Sequence, residues 1–290
     1  MLVMLSVNFE FQTKKVHMNH IIKSLVLLTT FMFCHYLMRV FWGDSWSDVL
    51  LWLDQQSYVL HTLVKYLFIY GPLVLVATFL FKEHPWYDVL GLNVAGSQHY
   101  FLAAVACCIP MTLGYALLST ELELSLSAII TGSIYAGVFE EIIFRAALFG
   151  GLFHYCRWGF IPAALISSII FGLGHIYQGH DVISAVMALA ITAIAGTWFA
   201  WLYCECGYRI WFPMCMHIFM NAAYGIFGMS GGAAGDLEGN LFKATSIILS
   251  IVYVHLLVRQ GKPREITLAS LWQNKATLES QSQLTHQNAY

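Results

Sequence analysis

Two adjacent carboxylates, an arginine, two histidines and an asparagine stand inside apolar stretches of this 290-residue chain. At the centre of a membrane span an ionisable group costs roughly 2.5–3.5 kcal/mol on an insertion scale, so each one needs a partner or a task. They occur as Phe139-Glu140-Glu141-Ile142-Ile143-Phe144-Arg145, Phe171-Gly172-Leu173-Gly174-His175 and His217-Ile218-Phe219-Met220-Asn221. On a helix Glu141 and Arg145 are four apart and share a face, which suits an ion pair inside a bundle. Glu140 lies about 100° round from Glu141 and faces a different neighbour. A carboxylate left without a cation in a dry setting is suited to take up and return a proton. His217 and Asn221, again four apart, present a ring N–H and an amide N–H₂ towards one point.

Each element has a bland reading as well. The Glu–Arg–Glu cluster serves equally to fix helix register. A lone His175 at a span end is commonly a satisfied structural or interfacial residue, and a His–Asn pair is common interhelical glue. Taken together they match the parts needed for attack of water on an amide. These are a base, a partner that orients the water and donors for the oxyanion.

The elements that must position these residues are membrane helices. Hydrophobic residues make up 59% of the chain and charged residues only 10%, against roughly a quarter in soluble domains. The mean hydropathy is +0.67. So few charges cannot cover the surface of a soluble protein this size, and the chain reads as a multi-span membrane protein. A net charge of −2 gives no basic footprint, which argues against nucleic-acid partners. Of the seven cysteines, Cys34, Cys107, Cys108, Cys156 and Cys215 lie in apolar runs and read as small buried hydrophobes.

Eight stretches are long and apolar enough to span: about 21–42, 59–81, 100–119, 125–153, 160–178, 182–204, 211–229 and 241–258. The first has no small-residue cleavage site after it and reads as an uncleaved anchor. With both termini in the cytoplasm, the inner segments hold Lys14, Lys15, Lys23, Lys82, Arg157, Arg209, Arg259, Lys262, Arg264 and Lys275. The outer half holds Arg39, Lys65 and Lys243, with Arg145 set aside inside a span. Ten against three supports an N-in/C-in topology. The fold expected is all-α, a polytopic bundle of about eight transmembrane helices. Residues 43–58 read as a short amphipathic connector and 261–290 as a mobile polar tail.

The order Glu-Glu-x-x-x-Arg, Phe-x-x-x-His, His-x-x-x-Asn resembles the CPBP family of intramembrane endopeptidases. That family includes the type II CAAX prenyl endopeptidases and the bacterial Abi, or bacteriocin-processing, proteins. The resemblance covers roughly 125–225, with all three motifs complete. It divides the chain into N-terminal spans (1–124), a catalytic helix core (125–229), and a last span with a polar tail (230–290).

The resemblance implies a glutamic-type hydrolase, with Glu140 the general base aided by His175. His217 and Asn221 would stabilise the oxyanion, with Glu141 and Arg145 in support. Substrates would be membrane-associated proteins or peptides: a CAAX-type tail, a bacteriocin or pheromone precursor, or a C-terminal sorting segment. The setting would be a multi-pass protein of the inner (plasma) membrane, in contact with lipid. Glu and His are plausible zinc ligands, and the family has been described as metalloproteases. The chain has no His-Glu-x-x-His, however, and the metal-free, cofactor-free reading is favoured. The depths fit poorly, with Glu140 mid-membrane, His175 near the outer end of its span and His217 in the inner part of its own. A broken helix at Gly172 and Gly174 is the expected remedy.

Other readings compete. Gly228-Met229-Ser230-Gly231 has the Gly-x-Ser-Gly pattern of rhomboid-type serine proteases, but the only later spanning histidine, His255, lies in a span without glycine. Gly235-Asp236 is reminiscent of presenilin-type aspartyl proteases, yet has no second spanning Asp. A non-catalytic scaffold or immunity protein would have no need of Glu140, His175 and His217 together. A proton-coupled transporter would show pseudo-symmetric halves, whereas the first three spans show no polar counterpart to spans four, five and seven.

Overall fold

The computed structural model describes residues 19–38, 47–229, 235 and 237–273. The helices are α1 (Asn19–Leu37), α2 (Ser47–Gln56), α3 (Tyr58–Leu80), α4 (Ser97–Leu118), α5 (Leu126–Tyr155), α6 (Phe160–Leu173), α7 (Val182–Glu205), α8 (Trp211–Ile226) and α9 (Leu237–Arg259). Among the described residues there is no strand, only one isolated backbone bridge between Trp158 and Gln273. The chain is an integral, multi-pass helical membrane bundle.

Seven helices among the described residues are long and apolar enough to cross a membrane, against the eight stretches marked in the sequence. The difference is α8. Its helix has 16 residues, about 24 Å at 1.5 Å per residue, and a hydrocarbon core is about 30 Å thick. Phe212 to His217 are all buried, and α8 packs against α4 and α5. It still runs the length of α4, from Ile210, bonded to the Gly91 carbonyl before α4, to Ile226, whose carbonyl accepts from Glu123 after it.

Helix α5 is the centre. It touches α3, α6, α7 and α8, and its residues from Ile143 to Phe153 are all buried. Such a helix must be apolar or small on every side, and Ala146, Ala147, Gly150 and Gly151 let its neighbours close in. Its backbone is not regular. Two stretches, Ile130–Tyr135 and Glu141–Tyr155, are wound as π-helix, a rare form that is frequent at functional sites. The break expected in the fifth span is present as well: its α-helix ends at Gly174, and past His175 the chain goes on as a 3₁₀ turn, Ile176–Gln178. Gly172 permits close packing, since a Cβ there would sit 2.7 Å from the Leu189 carbonyl oxygen of α7.

The polar tail is partly folded. The Glu205 carboxylate accepts the backbone N–H groups of Ile266 (3.1 Å) and Glu265 (3.4 Å), Tyr208 donates to Glu265 (2.8 Å), and Lys262 donates to the Tyr100 hydroxyl (2.7 Å). Residues 262–273 are therefore strapped to the ends of α4 and α7, and not mobile as the composition suggested. Residues 274–290, Arg39, and Ser230-Gly231 and Asp236 of the two rival motifs lie outside the described residues.

Gly137 of α5 faces α8, and a Cβ there would lie 3.0 Å from the Ile218 backbone nitrogen, beside His217. Gly137→Ala is expected to push the helices apart and lower stability by about 1–3 kcal/mol. At Gly132 a Cβ meets nothing within 4 Å, so Gly132→Ala is expected to be neutral or slightly stabilising. Thermal unfolding in detergent distinguishes the two.

Candidate active site

The centre of the site is Glu141, fully buried on α5. Its Oε2 lies 3.3 Å from Arg145 Nε, and its Oε1 lies 2.9 Å from His217 Nδ1. An ionised carboxylate only accepts, so Nδ1–H of the ring donates, and this orients the imidazole. The opposite nitrogen, Nε2, then faces Glu140 Oε2 at 3.8 Å. Arg145 is 1% exposed and lies 4.5 Å from the Phe171 ring centroid and 5.3 Å from that of Phe199. Phe199 also stacks on His217 (5.3 Å, 20°). The ion pair expected between Glu141 and Arg145 is thus present, with His217 added to it.

Glu140 points elsewhere, as its position round the helix requires. Its Oε1 accepts a hydrogen bond from the Tyr66 hydroxyl of α3 at 3.3 Å. His175 follows the end of α6, and its Nδ1 lies 2.8 Å from the Phe171 carbonyl. A carbonyl accepts, so Nδ1–H donates and Nε2 of the neutral ring is left as an acceptor. The turn after His175 is fixed by a capping box at Asp181, which accepts the backbone N–H of Ser184 (2.8 Å). That bond, with the Ser184 hydroxyl, holds the Asp181 carboxyl below its usual pKa. Asn221 donates from Nδ2 to the Gly132 carbonyl at 3.0 Å, tying α8 to the first π-wound stretch of α5.

Glu140, His175, His217 and Asn221 all line one cavity of about 1030 Å³. The depth mismatch is absent from the structure, since Glu140 and His217 face each other directly. The cavity is wider than a groove between spans four, five and seven. Tyr66 and Lys65 of α3, Trp198 of α7 and Lys243 of α9 also form its walls. Sequence reading missed Tyr66 and treated the first spans as lacking polar counterparts. A tyrosine in an apolar span is ordinary, and only its four-residue spacing from Tyr70, which is hydrogen-bonded to His35 (2.9 Å), hints at a polar stripe. Among the described residues no group of three or more His, Cys, Asp or Glu side chains is arranged to hold a metal ion.

Removing the guanidinium leaves Glu141 sealed away from water beside an uncharged side chain. Arg145→Ala is expected to cost about 3–5 kcal/mol of stability, read as a lower melting temperature and a lower folded yield in detergent.

Comparison with known proteins finds similarity over the central part of the chain. Residues 122–223 match the family described as type II CAAX prenyl endopeptidase Rce1-like. The chain is 42% identical over 93 residues to a Bacillus subtilis (strain 168) protein named "Putative membrane peptidase YdiL". That alignment covers 32% of this chain and 34% of the relative, so the chain matches about a third of the relative's length. No solved structure matches. The segment that matches this family holds Glu140, Glu141, Arg145, His175, His217 and Asn221.

Proposed function

We propose that the protein is an intramembrane glutamic endopeptidase that hydrolyses a peptide bond of a membrane-associated protein or peptide. The observation that carries this reading is the pair of facing groups, Glu140 Oε2 and His217 Nε2, 3.8 Å apart on the wall of a cavity roomy enough for an extended peptide. His175 and Asn221 line the same cavity.

In this mechanism Glu140 takes a proton from water, while Nε2 of His175 accepts from the water's other hydrogen and orients it. The hydroxide oxygen attacks the scissile carbonyl carbon, and the carbonyl oxygen becomes an oxyanion. Asn221 has a second amide hydrogen beyond the one given to Gly132. His217 donates from Nε2 while Nδ1–H stays on Glu141, which requires the ring to carry both protons. Two carboxylates, one guanidinium and one imidazolium then sum to zero charge in the low-dielectric core. Collapse of the intermediate breaks the C–N bond. Glu140 returns its proton to the leaving nitrogen, giving a new carboxyl terminus and a new amine.

No step passes through a metal, and turnover is expected to withstand a zinc chelator. The substrate classes are a CAAX-type tail, a bacteriocin or pheromone precursor, or a C-terminal sorting segment. The enzyme would sit in the plasma (inner) membrane with both termini in the cytoplasm.

The test is a comparison of new protein termini in membrane fractions of cells carrying the wild type or Glu140→Gln at matched levels. Termini formed only with the wild type are expected, and they name the substrate. Identical termini in both, with Glu140→Gln rescuing the phenotype of the deletion, would mean a non-catalytic scaffold. Asn221→Ala is expected to slow cleavage by about 10²–10³-fold, the usual loss for one oxyanion donor, with folding unaffected.

A further inference from the structure

We infer that Tyr66 is the positioning residue that decides which oxygen of Glu140 reacts, a role that rests on Glu140 being the base. A glutamate carboxylate turns easily about its last torsion, which is broad and roughly two-fold, so its two oxygens are equivalent unless something distinguishes them. Here something does. Oε1 accepts from the Tyr66 hydroxyl at 3.3 Å, and Oε2 faces His217 Nε2 at 3.8 Å. The carboxylate is held from both sides, by α3 and by α8. Oε1 is the anchored oxygen and Oε2 the one that meets water beside His217.

The hydroxyl is itself well placed. The Tyr66 ring stacks on Phe139, the residue preceding Glu140, with centroids 4.8 Å apart and planes at 12°. One turn further along α3, Tyr70 is bonded to His35 of α1, and both are buried. The helix carrying Tyr66 is therefore fixed in register against α1, and the ring is fixed against α5. The 3.3 Å bond is long for a hydroxyl on a carboxylate, as catalytic hydrogen bonds often are before substrate arrives.

Tyr66→Phe keeps the ring and its stacking and removes only the hydroxyl. Two readouts test the role. The first is infrared spectroscopy of purified protein in detergent, with the Glu140 carboxyl band assigned by its loss in Glu140→Gln; Tyr66→Phe is expected to move that band. A purely packing role would leave it in place, and an unmoved band overturns the inference.

The second is turnover of the peptide spanning the cleavage site mapped by the terminus comparison. Misplacing a reacting group by about 1 Å can cost up to 10²-fold, so kcat is expected to fall roughly 10- to 100-fold with KM unchanged. A wild-type kcat, or a raised KM with kcat kept, overturns the positioning role. If Glu140→Gln is inactive in that same experiment, the base survives this result. A Glu140→Gln that still cleaves overturns both. Melting temperatures of the two variants equal to that of the wild type confirm that neither change acts through unfolding.

Discussion

A carboxylate sealed at the centre of the bundle, Glu141, sets the terms for everything around it. It has no access to water, so its charge must be met by groups on the protein. Arg145, one helical turn away, supplies the cation, and His217 of α8 supplies a hydrogen bond. The guanidinium in turn rests against the faces of Phe171 and Phe199, which bring in α6 and α7. One buried charge thus fixes three neighbouring helices relative to α5. A shift of α8 by a single turn would break the His217 bond and leave the carboxylate short of a partner.

The same constraint accounts for the irregular parts of the fold. Helix α8 runs beside α4 from its Gly91 end to its Glu123 end and sets His217 opposite Glu141 of α5. The π-wound stretches of α5 lie on either side of Ala136–Glu140, the second beginning at Glu141, and the first offers the Gly132 carbonyl to Asn221. Irregular backbone at membrane depth is tolerated where it is buried in protein or lines a cavity. Both conditions hold here, because Gly132 and Glu140 line the cavity while Glu141 does not.

What the sequence showed and what it hid divide along physical lines. The Glu141–Arg145 pair was legible because four-residue spacing and the cost of buried charge leave few alternatives. The spans were legible from hydropathy, which depends only on composition. The length of α8 was not, because Phe227, Gly228 and Met229 extend the apolar run past the end of the helix, and hydropathy does not register where a helix stops. Tyr66 was hidden because tyrosine is as much an apolar residue as a polar one, and its role comes from α3 lying against α5, a long-range fact. The strapped tail was hidden for the opposite reason. Its sequence is polar and unremarkable, and it is held mainly by the single buried carboxylate of Glu205 reaching for its backbone.

The two adjacent glutamates carry the deepest consequence of this arrangement. Neighbours on a helix are about 100° apart, so the two carboxylates meet His217 from different sides, Glu141 from within the core and Glu140 from the cavity. Glu141 is drawn into the Arg145–His217 pair, and Glu140 is thereby aimed at the cavity, where its side chain keeps 18% of its exposure. The first carboxylate is spent on holding the histidine still. The second is left with one oxygen anchored by Tyr66 and one facing that histidine. Stability and reactivity are usually in conflict at a buried ionic site, since the strongest pairing is also the least available for chemistry. A doubled glutamate on a tightly packed helix separates the two demands. It assigns the compensated charge to structure and the exposed one to the reaction, and the helix geometry alone enforces the assignment.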